Sequence, residues 1–86
     1  MEQRILEVNG IVSKPWDFEA MCRVDDLRDE GKGKLVCGTA AVAYLFEGSA
    51  VTGKAIDNLS TPEMSKLAFK CYKWYSEDLS EAIKNA

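Results

Sequence analysis

The chain is predicted to be a mainly α protein (α+β), with an N-terminal β-hairpin packed on a small bundle of three to four helices, the last of them long. Three features predict this. From Ser60 to Lys84, apolar residues recur at i, i+3, i+4 and i+7 through about six helical turns. Asn9 and Gly10 sit between two short apolar runs, the strongest local signal for a tight hairpin. Between Gly33 and Gly48 runs a long apolar, alanine-rich stretch, longer than a buried strand needs and favourable for helix.

The terminal segment carries the most information. Met64, Leu67, Ala68, Cys71, Tyr72, Tyr75, Leu79, Ala82 and Ile83 fall on one face when residues are placed 100° apart. Lys66, Lys70, Lys73, Glu77, Glu81 and Lys84 fall opposite. Ser60 is the expected N-cap, Pro62 lies in the first turn where its missing N–H is not needed, and Glu63 completes a capping box. A helix with one apolar stripe takes most of its stability from packing against something else.

At the other end, residues 3–8 and 11–15 are predicted to pair as a hairpin, since Asn9 and Gly10 both tolerate positive φ. Pro15 ends the second strand because it has no N–H to donate. Asp17 is the expected cap of a helix running from Phe18 to Glu30, with Glu19 at its positive end. Phe18 and Cys22 form one apolar flank of that helix, Val24 and Leu27 the other, with Met21 between. It is therefore expected to touch two elements, the hairpin and another helix. Gly31 and Gly33 stop it. Lys34 to Glu47 is expected to be a central buried helix whose Gly38, Ala40, Ala41 and Ala43 let neighbours approach closely. Thr52 is a possible cap for a short helix at 53–58, with Ile56 and Leu59 as inward anchors.

Composition narrows the function classes. The 86 residues are 47% hydrophobic with a net charge of −3, which suits one small globular domain spanning 1–86. No apolar run approaches the roughly 18 residues of a membrane span. Nor does Met1 to Arg4 lead into the apolar core of a signal peptide, so the expected location is cytoplasmic. No basic stripe is present to neutralise several phosphates, which argues against a dedicated nucleic-acid binder. Histidine is absent, which removes histidine-based acid–base chemistry. The three cysteines, Cys22, Cys37 and Cys71, are far apart and read as buried thiols.

Motifs that resemble sites have plainer explanations. Asp25, Asp26, Asp29 and Glu30 lack the alternating oxygen spacing of a calcium loop and read as a solvated helix end. Gly31-Lys32-Gly33-Lys34 follows an acidic helix and precedes no Ser or Thr, unlike a nucleotide phosphate loop. No catalytic residue, cofactor or metal is expected. The aromatics are better candidates, because Trp and other large rings dominate binding hot spots. Trp16 lies at the hairpin–helix junction, Trp74 at the edge of the terminal stripe and Phe69 clearly off it. These three are the expected partner-binding residues.

The order of these features also resembles a known family. A hairpin over Ile5 to Gly10 leads to Trp16-Asp17-Phe18-Glu19-Ala20-Met21, then Val24 to Leu27, then an alanine-rich helix closing with Ala43 to Glu47. Over nearly the whole chain this is similar to the small tail assembly chaperones of long-tailed phages and prophages, of the kind found with Gram-positive hosts. The resemblance implies an α-rich fold without enzymatic activity, acting in the host cytoplasm. It implies binding to the tape measure protein, and to tail tube subunits, during tail morphogenesis. Two other readings stand beside it. One is a small phage DNA-binding or regulatory protein that uses residues 34–47 in a helix-turn-helix, although that segment carries almost none of the side chains that read bases. The other is a homo-oligomeric structural module paired through the terminal helix.

Overall fold

In a computed structural model of the chain, residues 4–48 and 59–85 are described. The order of elements is β1 (Glu7–Val8), β2 (Ile11–Val12), α1 (Phe18–Asp29), α2 (Lys34–Leu45) and α3 (Thr61–Lys84). The fold is mainly helical with an antiparallel hairpin at the N-terminus. The short helix expected at 53–58 lies outside the described residues, whereas Leu59 is half-buried against the core.

Helix α3 is the spine, and its start follows the predicted chemistry. The Ser60 hydroxyl accepts from the Glu63 N–H at 3.3 Å, and Pro62 occupies the first turn. Ala68, Cys71, Trp74 and Tyr75 are the buried residues of the helix. The predicted stripe is corrected at its far end: Ala82 is exposed and Ile83 is 68% exposed. Length is the reason. At about 1.5 Å per residue, α3 is roughly twice as long as α1 or α2, so its last turns run past them. Leu67 is only half-buried, on the shoulder of the stripe.

Helix α2 lies directly on this spine. Its Cys37, Gly38, Ala41, Val42 and Leu45 are buried, as expected of a central helix. Gly38 permits the contact. A Cβ at that position would stand 2.0 Å from the carbonyl oxygen of Ala68 and 2.8 Å from its Cα. The two backbones therefore touch with no side chain between them, which brings Cys37, Val42 and Leu45 into one core cluster with Cys71 and Tyr75.

Helix α1 is fixed at both ends by local bonds. One carboxylate oxygen of Asp17 accepts from the Ala20 N–H at 2.9 Å, and the other accepts the Tyr44 hydroxyl at 2.9 Å, so the cap also ties α1 to α2. At the C-terminus Gly31 takes a positive φ of 86°. The Lys32 N–H reaches the Leu27 carbonyl and the Gly31 N–H the Arg28 carbonyl, forming a Schellman motif. Helix α1 buries Ala20 and Val24. Its main neighbours are α2 and, to a lesser degree, α3. Phe18 departs from prediction too: it is 77% exposed, because α1 turns its Ala20–Val24 face inward.

The hairpin turns at Asn9 and Gly10, with φ of 51° and 82°, the pair of positive values a type I′ turn requires. Regular pairing stops sooner than the predicted 3–8 and 11–15. Glu7 faces Val12 and Val8 faces Ile11, and beyond them a side chain replaces the ladder. The Leu6 N–H donates to Ser13 Oγ at 2.8 Å, while the Ser13 N–H donates to the Leu6 carbonyl at 2.8 Å. Ser13 is thus a buried polar residue with its hydroxyl satisfied. Next to it, the Lys14 N–H donates to the Leu45 carbonyl at 3.0 Å, anchoring the hairpin to the end of α2.

The cysteines separate by environment. Cys37 and Cys71 are buried and Cys22 is half-buried; all three are free. Burial pushes the Cys71 thiol from 9.0 up to about 12, so its thiolate, the reactive form, is suppressed. Titrating the folded protein with a thiol reagent at pH 8 should label Cys22 first. Cys37 and Cys71 should follow only as the protein opens, and denaturant should make all three equivalent. Rapid native labelling of Cys71 would contradict this core.

Candidate protein-docking surface

The three aromatics singled out in the sequence do not form one site. Trp16 and Trp74 come together, with ring centroids 5.8 Å apart and planes inclined at 56°. Trp74 is only 8% exposed, and this corrects the expectation of an anchor at the edge of the stripe. It is buried because the hairpin–α1 junction lays Trp16 over it. The Trp16 Nε1–H donates to Asp78 Oδ2 at 2.8 Å, and Arg4 Nη1 donates to Asp78 Oδ1 at 2.6 Å. One carboxylate therefore holds both the hairpin and the indole against α3. Asp78→Ala should lower stability by about 1–2 kcal/mol, given that these groups are partly solvated. Trp fluorescence should shift to the red as Trp16 loosens, and an unchanged spectrum and melt would refute the clasp.

Phe69 is different. It lies about 140° around α3 from Trp74 at 100° per residue, and half its surface is open. It belongs to a second series, Ser65, Phe69, Tyr72, Ser76, Leu79 and Ile83, which alternates steps of four and three residues. That alternation is the spacing of a heptad seam, and none of the six residues is buried. Helical spacing alone places Tyr72, Leu79 and Ile83 on the core stripe and Phe69 off it. The spacing was visible, but which of two adjacent stripes faces the bundle depends on where α1 and α2 lie.

Two grooves lie beside α3, one along this seam and one that meets it at Ser65. One, of about 320 Å³, is lined by Arg28, Tyr72, Tyr75, Ser76, Leu79 and Ile83. The other, between α2 and the start of α3, is lined by Leu35, Thr39, Met64 and Ser65 among others. Leu35 is one of the exposed large apolar residues, as Phe69 and Ile83 are.

The electrostatics of the seam are set by a small network. The Tyr75 hydroxyl donates to Asp25 Oδ1 at 2.6 Å and accepts from Arg28 Nη1 at 3.1 Å. Burial, and then the hydrogen bond to Asp25, hold the phenol above its ordinary range, while Arg28 pulls it back. Lys34 Nζ stands 5.8 Å from the centre of the Tyr72 ring and the Arg28 guanidinium 5.8 Å from that of Tyr75. Both cations therefore border the groove.

The carboxylates of α1 do not gather into a centre. Asp25 serves the tyrosine, and among the described residues no three His, Cys, Asp or Glu side chains converge as metal ligands would. Gly31 to Lys34 forms the helix stop and the start of α2. Among the described residues no helix is long and apolar enough to cross a membrane. Comparison with family models, curated proteins and solved structures finds no match for this chain.

Proposed function

We propose that this chain is a non-enzymatic protein-binding protein, working in the host cytoplasm as a tail assembly chaperone that holds the tape measure protein during tail morphogenesis. The observation that carries the reading is the second seam of α3. The chain exposes Phe69 on α3, Leu35 in one groove and Ile83 in another, and exposed apolar surface of that kind marks interaction sites. The resemblance in the order of hairpin, capped helix and alanine-rich helix supplies the identity of the partner.

The test is affinity capture from a lysate of phage-infected cells, using the wild-type chain and a Phe69→Ala, Ile83→Ala double variant. Both substitutions fall on exposed residues, so the variant should melt within about 0.5 kcal/mol of wild type. The expected result is recovery of a long helical tail protein by the wild type and its loss with the variant. Recovery of the same host proteins by both would refute the reading.

A further inference from the structure

We infer that the outer edge of β1 is a strand-docking site, which takes an extended peptide segment of a partner protein as a third strand. It is a different face from the α3 seam and does not depend on it. The main chain carries the inference. Successive residues of a strand turn their N–H and C=O groups to opposite edges. Toward β2 point the groups already in use. Val8 stands opposite Ile11, the N–H and carbonyl of Leu6 both meet Ser13, and the Arg4 carbonyl accepts from the Trp16 N–H. The N–H and C=O of Ile5 and of Glu7, and the N–H of Asn9, therefore point the other way. Among the described residues nothing pairs with that edge, and the sheet ends at β1.

The edge opens onto a groove of about 460 Å³ whose far wall is Leu59 and, from α3, Glu63, Lys66, Leu67 and Lys70. Leu59 and Leu67 are half-buried and offer apolar contact to alternate side chains of a guest strand. Ile5 to Asn9 span about 13 Å at about 3.3 Å per residue, so a guest of about five or six residues fills the edge. Charge does not choose the occupant, because Glu7 and Glu63 share the groove with Lys66 and Lys70. The backbone does. A helix spends its N–H and C=O groups internally, whereas an extended chain presents both at the spacing of an open edge. A second copy is disfavoured on three counts. Its own β1 edge is walled by its own α3, which would have to stand where the guest strand lies. The longest self-pairing, centred on Glu7, sets Glu7 opposite its copy, and like charges directly opposite are destabilising. An edge this short also buries far less than the roughly 1,200 Å² of a stable protein–protein interface, while a short peptide gains its affinity from main-chain bonds.

The experiment uses a labelled, end-blocked peptide of about eight residues, slightly longer than the edge, alternating valine with threonine. A second peptide has the same side chains but carries N-methyl groups on alternate residues, on both edges in turn, which removes the donors. In the free chain the Glu7 amide should exchange with solvent rapidly. Adding the first peptide should protect it and shift the amide signals of Ile5, Glu7 and Asn9 in NMR spectra. N-methylation should weaken binding, read by fluorescence anisotropy, by at least about tenfold. Glu7→Pro should do the same, since it removes an outward N–H that bonds nothing in the fold, and proline is tolerated at such edges. Should proline disturb the hairpin, the methylated peptide carries the same test on the unaltered chain. Phe69→Ala with Ile83→Ala should leave peptide binding unchanged, which separates this edge from the α3 seam. No binding, equal binding of the methylated peptide, or loss of binding in the seam variant would overturn the inference. So would a Glu7 amide already protected in the free chain, which would show the edge to be filled. Self-association in sedimentation that Glu7→Pro removes would assign the edge to a second copy and overturn it as well.

Discussion

Tyr75→Ala should destabilise the fold by about 3–5 kcal/mol, the range for emptying a large aromatic site in a core. The side chain is fully buried and sits where α1, α2 and α3 meet, touching the core cluster of α2 and reaching Asp25 and Arg28 on α1. Collapse around the hole is restricted on the α2 side, where the backbone already lies against Ala68. For a chain of this length the loss corresponds to a fall in Tm of at least about 15 °C, read by circular dichroism. Tyr75→Phe separates ring from hydroxyl. It keeps the packing and returns an exposed carboxylate and guanidinium to water, so it should cost only about 1 kcal/mol. If the alanine variant melted like the phenylalanine one, the ring would not be the centre of this core.

Gly38→Ala should be nearly as damaging, although alanine is the better helix former. The propensity gain is about 1 kcal/mol. Against it stands a methyl group placed 2.0 Å from a backbone oxygen, which no rotamer change can relieve because the obstacle is main chain. The helices must part, and overpacking of this kind sits at the upper end of the usual range, about 3 kcal/mol or beyond. A net loss of about 2–3 kcal/mol, or about 10–20 °C in Tm, is expected. Gly38→Val should prevent cooperative folding altogether. Gly33→Ala is the control, because a Cβ there meets nothing within 4 Å. Equal melts for the two alanine variants would show that α2 and α3 do not cross at Gly38.

What could be read from the sequence was local. The Ser60 cap, the Asp17 cap, the turn at Asn9 and Gly10 and the stop at Gly31 each depend on residues within one helical turn, so their chemistry states the structure directly. The alanine-rich identity of α2 announced a helix, and its glycine announced a close neighbour without saying which one. Trp74 and Phe18 were misplaced because exposure is a property of what lies opposite. Trp74 is covered by a tryptophan distant in sequence, and Phe18 by nothing among the described residues. The hairpin ended early because Ser13 bonds through its hydroxyl, an option that strand patterning does not distinguish from a continuing ladder. The docking seam was half legible. Phe69 stood out as misfit, but its companions were hidden inside a stripe that one helix shares between two faces.

The clasp at Asp78 bears on how the protein is made. Its carboxylate joins Arg4 and Trp16, residues 74 and 62 positions away. While the ribosome is still translating α3, the hairpin has only its anchor at the end of α2, the bond from Lys14 to Leu45. The clasp itself waits for Asp78 to emerge, and such distant pairings are closed late and slowly. Closure of this clasp is thus a late step, following the local contacts within and between α1 and α2.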